Sequence, residues 1–132
     1  MTKMPTRRVL PPMLRVLIVE DNMIIALDAE DMLTRNGAAG VDIAGSSAEA
    51  LRMLADPSYS FAVVDLRLPN AESLAIAWRL QELGIPFIFS VGYGEQVINP
   101  PAFPAVPVVG KPFSESYLMA RLADLLEAEG RP

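Results

Sequence analysis

Short apolar runs alternate along this chain with longer segments in which apolar residues recur at helical spacing. The runs hold few polar side chains, which is typical of strands that are buried on both faces of a sheet. They predict five strands, at 16–19, 41–44, 61–64, 87–89 and 106–109.

Four longer segments have the pattern of helices, and each stops at residues that commonly end a helix. They span 22–35 before Asn36-Gly37, 47–55 before Asp56-Pro57, 71–83 before Gly84 and 114–129 before Gly130. The last segment has one apolar face, formed by Tyr117, Leu118, Leu122, Leu125 and Leu126. Its charged residues fit the opposite face, so this helix is expected to pack on a sheet from outside.

The regular alternation of strand and helix predicts a doubly wound α/β fold, in which a parallel sheet carries helices on both sides. One crossover departs from the pattern. Residues 92–105 contain Gly94, Pro100, Pro101 and Pro104, which leaves room for about two helical turns before the first proline. The fourth helix of the fold is therefore expected to be short, distorted or missing.

Length and composition fit one globular domain, since the 132 residues are 52% hydrophobic and 20% charged. Residues 1–13 are rich in proline and show no periodicity. They predict a flexible N-terminal arm, which places the folded domain at 14–130. The formal net charge of -5 argues against binding to nucleic acid, whose phosphates need a basic patch.

Two absent residue types narrow the chemistry. With no Cys and no His, the chain has no disulfide, no thiolate site and no histidine for a hydrolase triad. No apolar run is long enough to span a membrane, and the basic start leads into Pro11-Pro12 instead of a signal-peptide core. A cytoplasmic location is expected.

Charged side chains follow three of the predicted strands: Glu20-Asp21 the first, Asp65 the third and Lys111 the fifth. Ligands of open parallel sheets bind at the carboxyl ends of the strands, so these side chains are expected to converge. Taken singly, Asp21 is typical of a helix cap, Asp65 of a turn and Lys111 of a solvated loop.

As a group, the charged residues indicate a metal site. Three carboxylates held close together raise one another's pKa unless a cation neutralises them. Oxygen ligands without His or Cys favour a hard ion such as Mg²⁺. A metal ion and a lysine can neutralise a transferred phosphoryl group while a carboxylate acts as the nucleophile. Asp65, on the central strand, is best placed for that role.

These residues lie in motifs that resemble the response-regulator receiver family over about residues 14–126. The motifs are VLIVEDN at 16–22, VVDLRLP at 63–69 and VVGKPF at 108–113. The resemblance implies a flavodoxin-like sheet of five strands in the order 2-1-3-4-5. It also implies a stand-alone receiver of a two-component phosphorelay, which takes a phosphoryl group from a histidine kinase. Such a protein is a phosphoacceptor that assists its own Mg²⁺-dependent phosphorylation and is not otherwise an enzyme.

The same resemblance gives each site residue a role. Asp65 is the phosphoacceptor, and it shares Mg²⁺ with the acidic pair Glu20 and Asp21 and with the carbonyl of Arg67. Lys111 contacts the phosphoryl group. Because the chain carries no output domain, the signal is expected to pass to a downstream protein or to drain phosphate from the kinase. The sequence leaves open which of these applies and whether the chain forms a homodimer.

The segment IPFIFSVGYG at 85–94 resembles a narrower group of alphaproteobacterial receivers with a Phe-Ala-Thr-Gly-Tyr type of motif. That group often works with HWE-type histidine kinases. The switch region is expected at Ser90, Val91 and Tyr93. The hydroxyl position of the family falls on Val91, and Ser90 precedes it on the opposite face of a regular strand. We therefore expect phosphorylation with an impaired switch.

Two other functions stay open. A flavin- or nucleotide-binding protein of this fold would need a phosphate-binding loop after the first strand, where Glu20-Asp21 would repel phosphate. A degenerate receiver would bind partners whatever its phosphorylation state; Val91 and the eroded fourth helix favour it, and the intact acids and lysine oppose it. A further departure from the family, Glu72-Ser73 in place of Asp-Gly, is expected to lie outside the chemistry.

Overall fold

The computed structural model describes residues 10–11, 13–56, 58–68, 72–92 and 99–128. These residues form nine helices and strands. In chain order they are β1 (Arg15–Val19), α1 (Met23–Arg35), β2 (Gly40–Ala44), α2 (Ser47–Met53), β3 (Phe61–Asp65), α3 (Glu72–Leu83), β4 (Phe87–Val91), β5 (Val108–Gly110) and α4 (Glu115–Ala128). Each predicted strand and each predicted helix is present, with bounds that differ by a few residues.

The five strands make one parallel sheet in the order β2-β1-β3-β4-β5. The prediction of a doubly wound, flavodoxin-like sheet is confirmed. The register brings the strand ends to a common level: Val19 pairs with Val64, Asp65 with Ser90 and Val91 with Gly110. Residues that directly follow the strands therefore share one edge of the sheet.

Both faces of the sheet are covered by helices. Alternate strand residues, among them Ile18, Val63 and Val109, join α1 and α4 in one apolar cluster. The intervening residues, among them Val19 and Val64, join α2 and α3 in a second cluster. Because successive strand residues point to opposite faces, burial on both sides explains the continuous apolar runs in the sequence.

The ends of the helices follow local signals. The side chain of Asn22 caps α1 by accepting hydrogen bonds from the backbone N–H groups of Ile24 and Ile25. The interpretation of Asp21 as the cap is therefore wrong, because its neighbour holds that position. Gly37 and Gly84, which follow α1 and α3, have positive φ angles of 105° and 72° that glycine adopts without strain.

The packed face of α4 differs from the predicted one at its edge. Leu118, Leu122 and Leu126 are buried as expected, but Tyr117 is 48% exposed, and its ring lies 5.2 Å from the guanidinium of Arg121. Met119 is buried instead. Residues 117 and 119 flank Leu118 at opposite edges of the apolar stripe, and only Met119 belongs to the apolar cluster that α4 shares with α1 and the sheet.

The crossover from β4 to β5 has turns and no helix over residues 99–107, as far as the structure describes it. This agrees with a short or missing fourth helix; residues 93–98 lie outside the described part. In the described part of the crossover, the ring of Phe103 packs on those of Phe87 and Phe89 in β4. The side-chain amide of Asn99 donates to the carbonyls of Phe103 and Val106 at 2.9 and 2.6 Å and closes the loop.

The N-terminal boundary lies earlier than expected. Leu10 is buried in the apolar cluster that contains residues of α1, and its N–H donates to the carbonyl of Asn36 at 3.2 Å. The packed part therefore includes Leu10, which lies within the segment predicted as an arm at 1–13. Residues 1–9 and 12 lie outside the described residues, as do 129–132 after α4. Among the described helices, none is long and apolar enough to cross a membrane.

Candidate functional site

Three carboxylates meet at the carboxyl edge of the sheet. Glu20 and Asp21 follow β1, and Asp65 ends the adjacent strand β3. One carboxylate oxygen from each lies within 4.8 Å of the others. Glu20 and Asp65 are only 2% and 3% exposed, whereas Asp21 is open to solvent. The convergence follows from β1 and β3 being neighbours that end at the same level.

Lys111 completes this cluster from the end of β5. Its backbone N–H donates to the carbonyl of Val91 at 2.7 Å, which continues the ladder beyond Gly110. Its Nζ lies 2.9 Å from Oε1 of Glu20 and 3.4 Å from Oδ2 of Asp65. The side chain is 9% exposed and the following Lys111–Pro112 peptide bond is cis. Lys111 is thus a buried partner of two acids and not a solvated loop lysine.

Burial and charge set the electrostatics of the pair Glu20–Lys111. The pKa of Glu20 is raised, mainly because burial disfavours its charged form, and the charge of Asp65 raises this pKa further. The hydrogen bonds that Glu20 accepts from Lys111 and from Asn22 N–H lower its pKa, but they do not outweigh burial. Burial by itself would lower the pKa of Lys111, but the hydrogen bond with Glu20 and the charge of Asp65 outweigh it and raise the pKa. The cluster thus combines three carboxylates with one ammonium, and a cation would complete the neutralisation.

The donor set fits a hard divalent ion. The three carboxylates offer closely spaced oxygen atoms, which are the hard ligands that Mg²⁺ prefers over nitrogen or sulfur. Arg67 lies in the turn directly after β3, two residues beyond Asp65, so its backbone is next to the acids. Its N–H donates to Oδ1 of Asp65 at 3.0 Å, which orients the carboxylate.

Ser73 is a site residue that the sequence did not reveal. It lies in the first turn of α3 and is buried. Its Oγ donates to the carbonyl of Asp65 at 2.6 Å and accepts from the N–H of Leu68 at 3.3 Å. The position of Glu72-Ser73 was expected to lie outside the chemistry, but the serine holds the turn that carries Asp65. The sequence signal that could have indicated this role is a serine directly after a loop, because a serine hydroxyl can form hydrogen bonds with nearby backbone groups.

The expected switch residues are only partly described. Ser90 is the register partner of Asp65, and its carbonyl accepts from Leu66 N–H at 2.9 Å. Val91 is the next residue, also buried, and β4 runs regularly through it. The strand end therefore has no irregularity that would turn Ser90 toward the position of Val91. Tyr93 lies outside the described residues.

Comparison with known proteins identifies the family of a chain that has this fold and this site at the carboxyl edge of the sheet. Residues 16–123 match the family model of the response regulator receiver domain. The chain belongs to that family and contains a receiver domain of a two-component system. The same match disfavours a flavin- or nucleotide-binding protein of the same fold.

Solved structures and a curated relative are similar over most of the chain. The BeF3-activated conformation of SdrG from Pseudomonas melonis Fr1 is 32% identical with a TM-score of 0.73, covering 85% of this chain and 95% of that one. A CheY-like receiver from Methanospirillum hungatei JF-1 is 22% identical, with a TM-score of 0.76 over 89% and 97% of the two chains, and shows the shared fold.

The virulence transcriptional regulatory protein PhoP of Salmonella typhimurium is 31% identical over 119 residues. The match covers 86% of this chain and 52% of the relative. The chain thus spans about half the length of the curated relatives that it matches.

Proposed function

We propose that the protein accepts a phosphoryl group on Asp65 from a histidine kinase and passes the signal to a downstream protein. The observation that supports this most is the buried carboxylate of Asp65 between two further acids and the ammonium of Lys111. Such a cluster is costly for folding alone, because like charges repel and burial penalises each charged form. A function that explains this cost is the binding of a cation together with a negatively charged phosphoryl group.

Each residue has a definite part in the proposed transfer. A carboxylate oxygen of Asp65 forms a bond to phosphorus as the bond to the donor breaks, and the donor atom keeps the electron pair. The ammonium of Lys111, already 3.4 Å from that carboxylate, neutralises oxygens of the incoming group. Glu20, Asp21 and the Arg67 carbonyl would hold Mg²⁺ with Asp65. A bound Mg²⁺ supplies positive charge beside the phosphoryl oxygens.

The protein thereby assists its own phosphorylation without being an enzyme that acts on another substrate. The resemblance of residues 85–94 to one group of receivers supports an HWE-type kinase as the donor. Purified kinases of HWE and other types, each autophosphorylated with labelled ATP, would test this. Faster transfer from another type would exclude the HWE assignment.

The decisive test uses a small phosphodonor, such as acetyl phosphate, with Mg²⁺ and intact-mass measurement. We expect the wild type to gain one phosphoryl group and Asp65→Asn to gain none, because an amide is a poor nucleophile. Removal of Mg²⁺ with a chelator should also prevent the gain. Asp56→Asn is the matched control, since it makes the same change in an exposed residue before β3, at the opposite edge of the sheet.

A second candidate is a degenerate receiver that binds partners independently of phosphorylation. It is favoured by Val91, an apolar side chain buried at the end of β4 where the family carries a hydroxyl. A wild type that gains no phosphoryl mass from either a small donor or a kinase would favour this candidate. A mass gain that persists in Asp65→Asn would instead place the nucleophile elsewhere.

A further inference from the structure

We infer that Ser73 is a positioning residue for the cation site: its hydroxyl holds the turn that carries Asp65 and Arg67 in the geometry that Mg²⁺ binding needs. The inference deepens the proposed function and rests on it for the role of the site. Ser73 touches no carboxylate. It acts through the backbone of the turn.

The contacts of Ser73 tie a helix to both sides of this turn. Its Oγ donates to the carbonyl of Asp65 at 2.6 Å and accepts from Leu68 N–H at 3.3 Å. The side chain is 2% exposed, so water competes poorly for these contacts. One hydroxyl therefore connects the start of α3 with the first and the last residue of the segment 65–68.

The segment between these two anchor points holds the atoms that matter for the cation. Within it, Arg67 N–H donates to Oδ1 of Asp65 at 3.0 Å, and Leu66 N–H donates to the carbonyl of Ser90 at 2.9 Å. The Arg67 carbonyl, assigned by the family resemblance to the metal, lies between the anchor points. Its position depends on how firmly the turn is held.

A capping serine at a helix start usually bonds to N–H groups of its own helix. Ser73 instead bonds to the backbone of the preceding turn, five and eight residues earlier in the chain. Groups that orient the ligands of a metal act in this indirect way, and their removal commonly lowers metal affinity about 10- to 100-fold. A backbone tie of this kind is expected near the lower end of that range.

The test compares Ser73→Ala with wild type in a Mg²⁺ titration without phosphodonor. We expect the dissociation constant to rise about tenfold, as for loss of a group that orients a ligand. Hydrogen exchange at the Leu68 amide should quicken, because that N–H loses its acceptor. Ser73→Thr keeps the hydroxyl and should restore both values toward those of wild type.

The matched control is Ser60→Ala. The Ser60 hydroxyl also accepts a backbone hydrogen bond, from Arg15 N–H at 3.2 Å, but at the opposite edge of the sheet. This change should lower stability without altering the Mg²⁺ dissociation constant. If both alanine variants weaken Mg²⁺ binding equally, the effect follows from stability, and the inference is overturned.

Two further outcomes are decisive. If Ser73→Ala binds Mg²⁺ as tightly as wild type while the Leu68 amide exchanges faster, the serine has only a structural role and the inference is overturned. Should Ser73→Ala fail to fold, Ser73→Cys keeps a side chain of similar shape with weak hydrogen bonding, and wild-type affinity in that variant would equally overturn the inference. Failure of the wild type to accept phosphate would reject the proposed function, yet the Mg²⁺ titration would still decide the role of Ser73.

Discussion

Glu20 and Asp21 are adjacent in sequence but have different surroundings. Glu20 is buried, with one carboxylate oxygen on Lys111 Nζ and the other on Asn22 N–H at 3.0 Å. Asp21 is exposed, and Asn22 already caps α1. The carboxylate of Asp21 is therefore not needed as the cap of α1, and its place beside Glu20 and Asp65 fits the ligand set of a cation.

Replacing Asp21 with Asn should weaken Mg²⁺ binding, since the site loses one charged ligand. Without metal the variant should be as stable as wild type or more stable, because repulsion from two other acids is relieved. Asn22→Ala provides the contrast, since loss of an N-cap costs about 1 kcal/mol of stability. Mg²⁺ titration and denaturant unfolding measure the two effects. If Asp21→Asn binds Mg²⁺ as tightly as wild type, Asp21 is not a ligand of the metal ion.

At the scale of elements, the described part of the crossover from β4 to β5, residues 99–107, packs one aromatic side chain, Phe103, against β4. The ring of Phe103 lies 5.8 and 6.0 Å from those of Phe87 and Phe89, measured between centroids. The same ring lies 4.9 Å from that of Trp78 in α3, a side chain that is half exposed. Pro107 has no N–H for the strand ladder, which is consistent with β5 beginning at Val108, later than predicted.

Phe103→Ala should cost about 3–5 kcal/mol of unfolding free energy, as for other buried aromatic residues replaced by alanine. Phe103→Leu should cost less, because it refills most of the volume. Trp78 is the single tryptophan of the chain, so its fluorescence reports the loss of its neighbour directly. Tyr117→Ala, an exposed aromatic change on α4, serves as the control and should cost about 1 kcal/mol or less. A similar small cost for Phe103→Ala would show that the loop does not stabilise the sheet.

The whole molecule responds to phosphorylation only as far as the phosphoryl group favours one conformation over another. The site lies at the ends of β1, β3 and β5, and β4 lies between β3 and β5 in the sheet. Val91 ends β4 and accepts a hydrogen bond from Lys111 N–H through its carbonyl. Its side chain has the shape of threonine without a donor. A phosphorylated state would thus lack one contact worth about 1.5–3 kcal/mol, as for hydrogen bonds to charged groups.

We predict that the wild type accepts phosphate while amide exchange changes little beyond the site. Val91→Thr should enlarge the phosphorylation-dependent change at Gly92 and at residues 99–109, because the added hydroxyl can bind a phosphoryl oxygen. Val108→Thr makes the same chemical change in the neighbouring strand and should not have this effect. A large change in wild type that Val91→Thr does not increase would mean that the protein switches by another route.

Much of the fold and of the candidate site was accessible from sequence, because the signals are local. Apolar runs and helical spacing predicted each strand and helix, and glycines marked where α1 and α3 end. The convergence of Glu20, Asp21, Asp65 and Lys111 required one further rule, that parallel strands end at a common edge. The strand order came from the family resemblance, and the register of the sheet confirms it.

Other features depended on which elements lie next to each other in space. Sequence spacing could not show that Leu10 joins the apolar cluster that contains α1, that Met119 is buried instead of Tyr117, or that Lys111 lies closer to Glu20 than to Asp65. It also could not show that the Ser73 hydroxyl reaches back to Asp65 and Leu68. Periodicity describes a segment relative to its own axis, so it determines which residues share a face. Burial and hydrogen bonding between segments depend on distances that exist only once the helices and strands have packed.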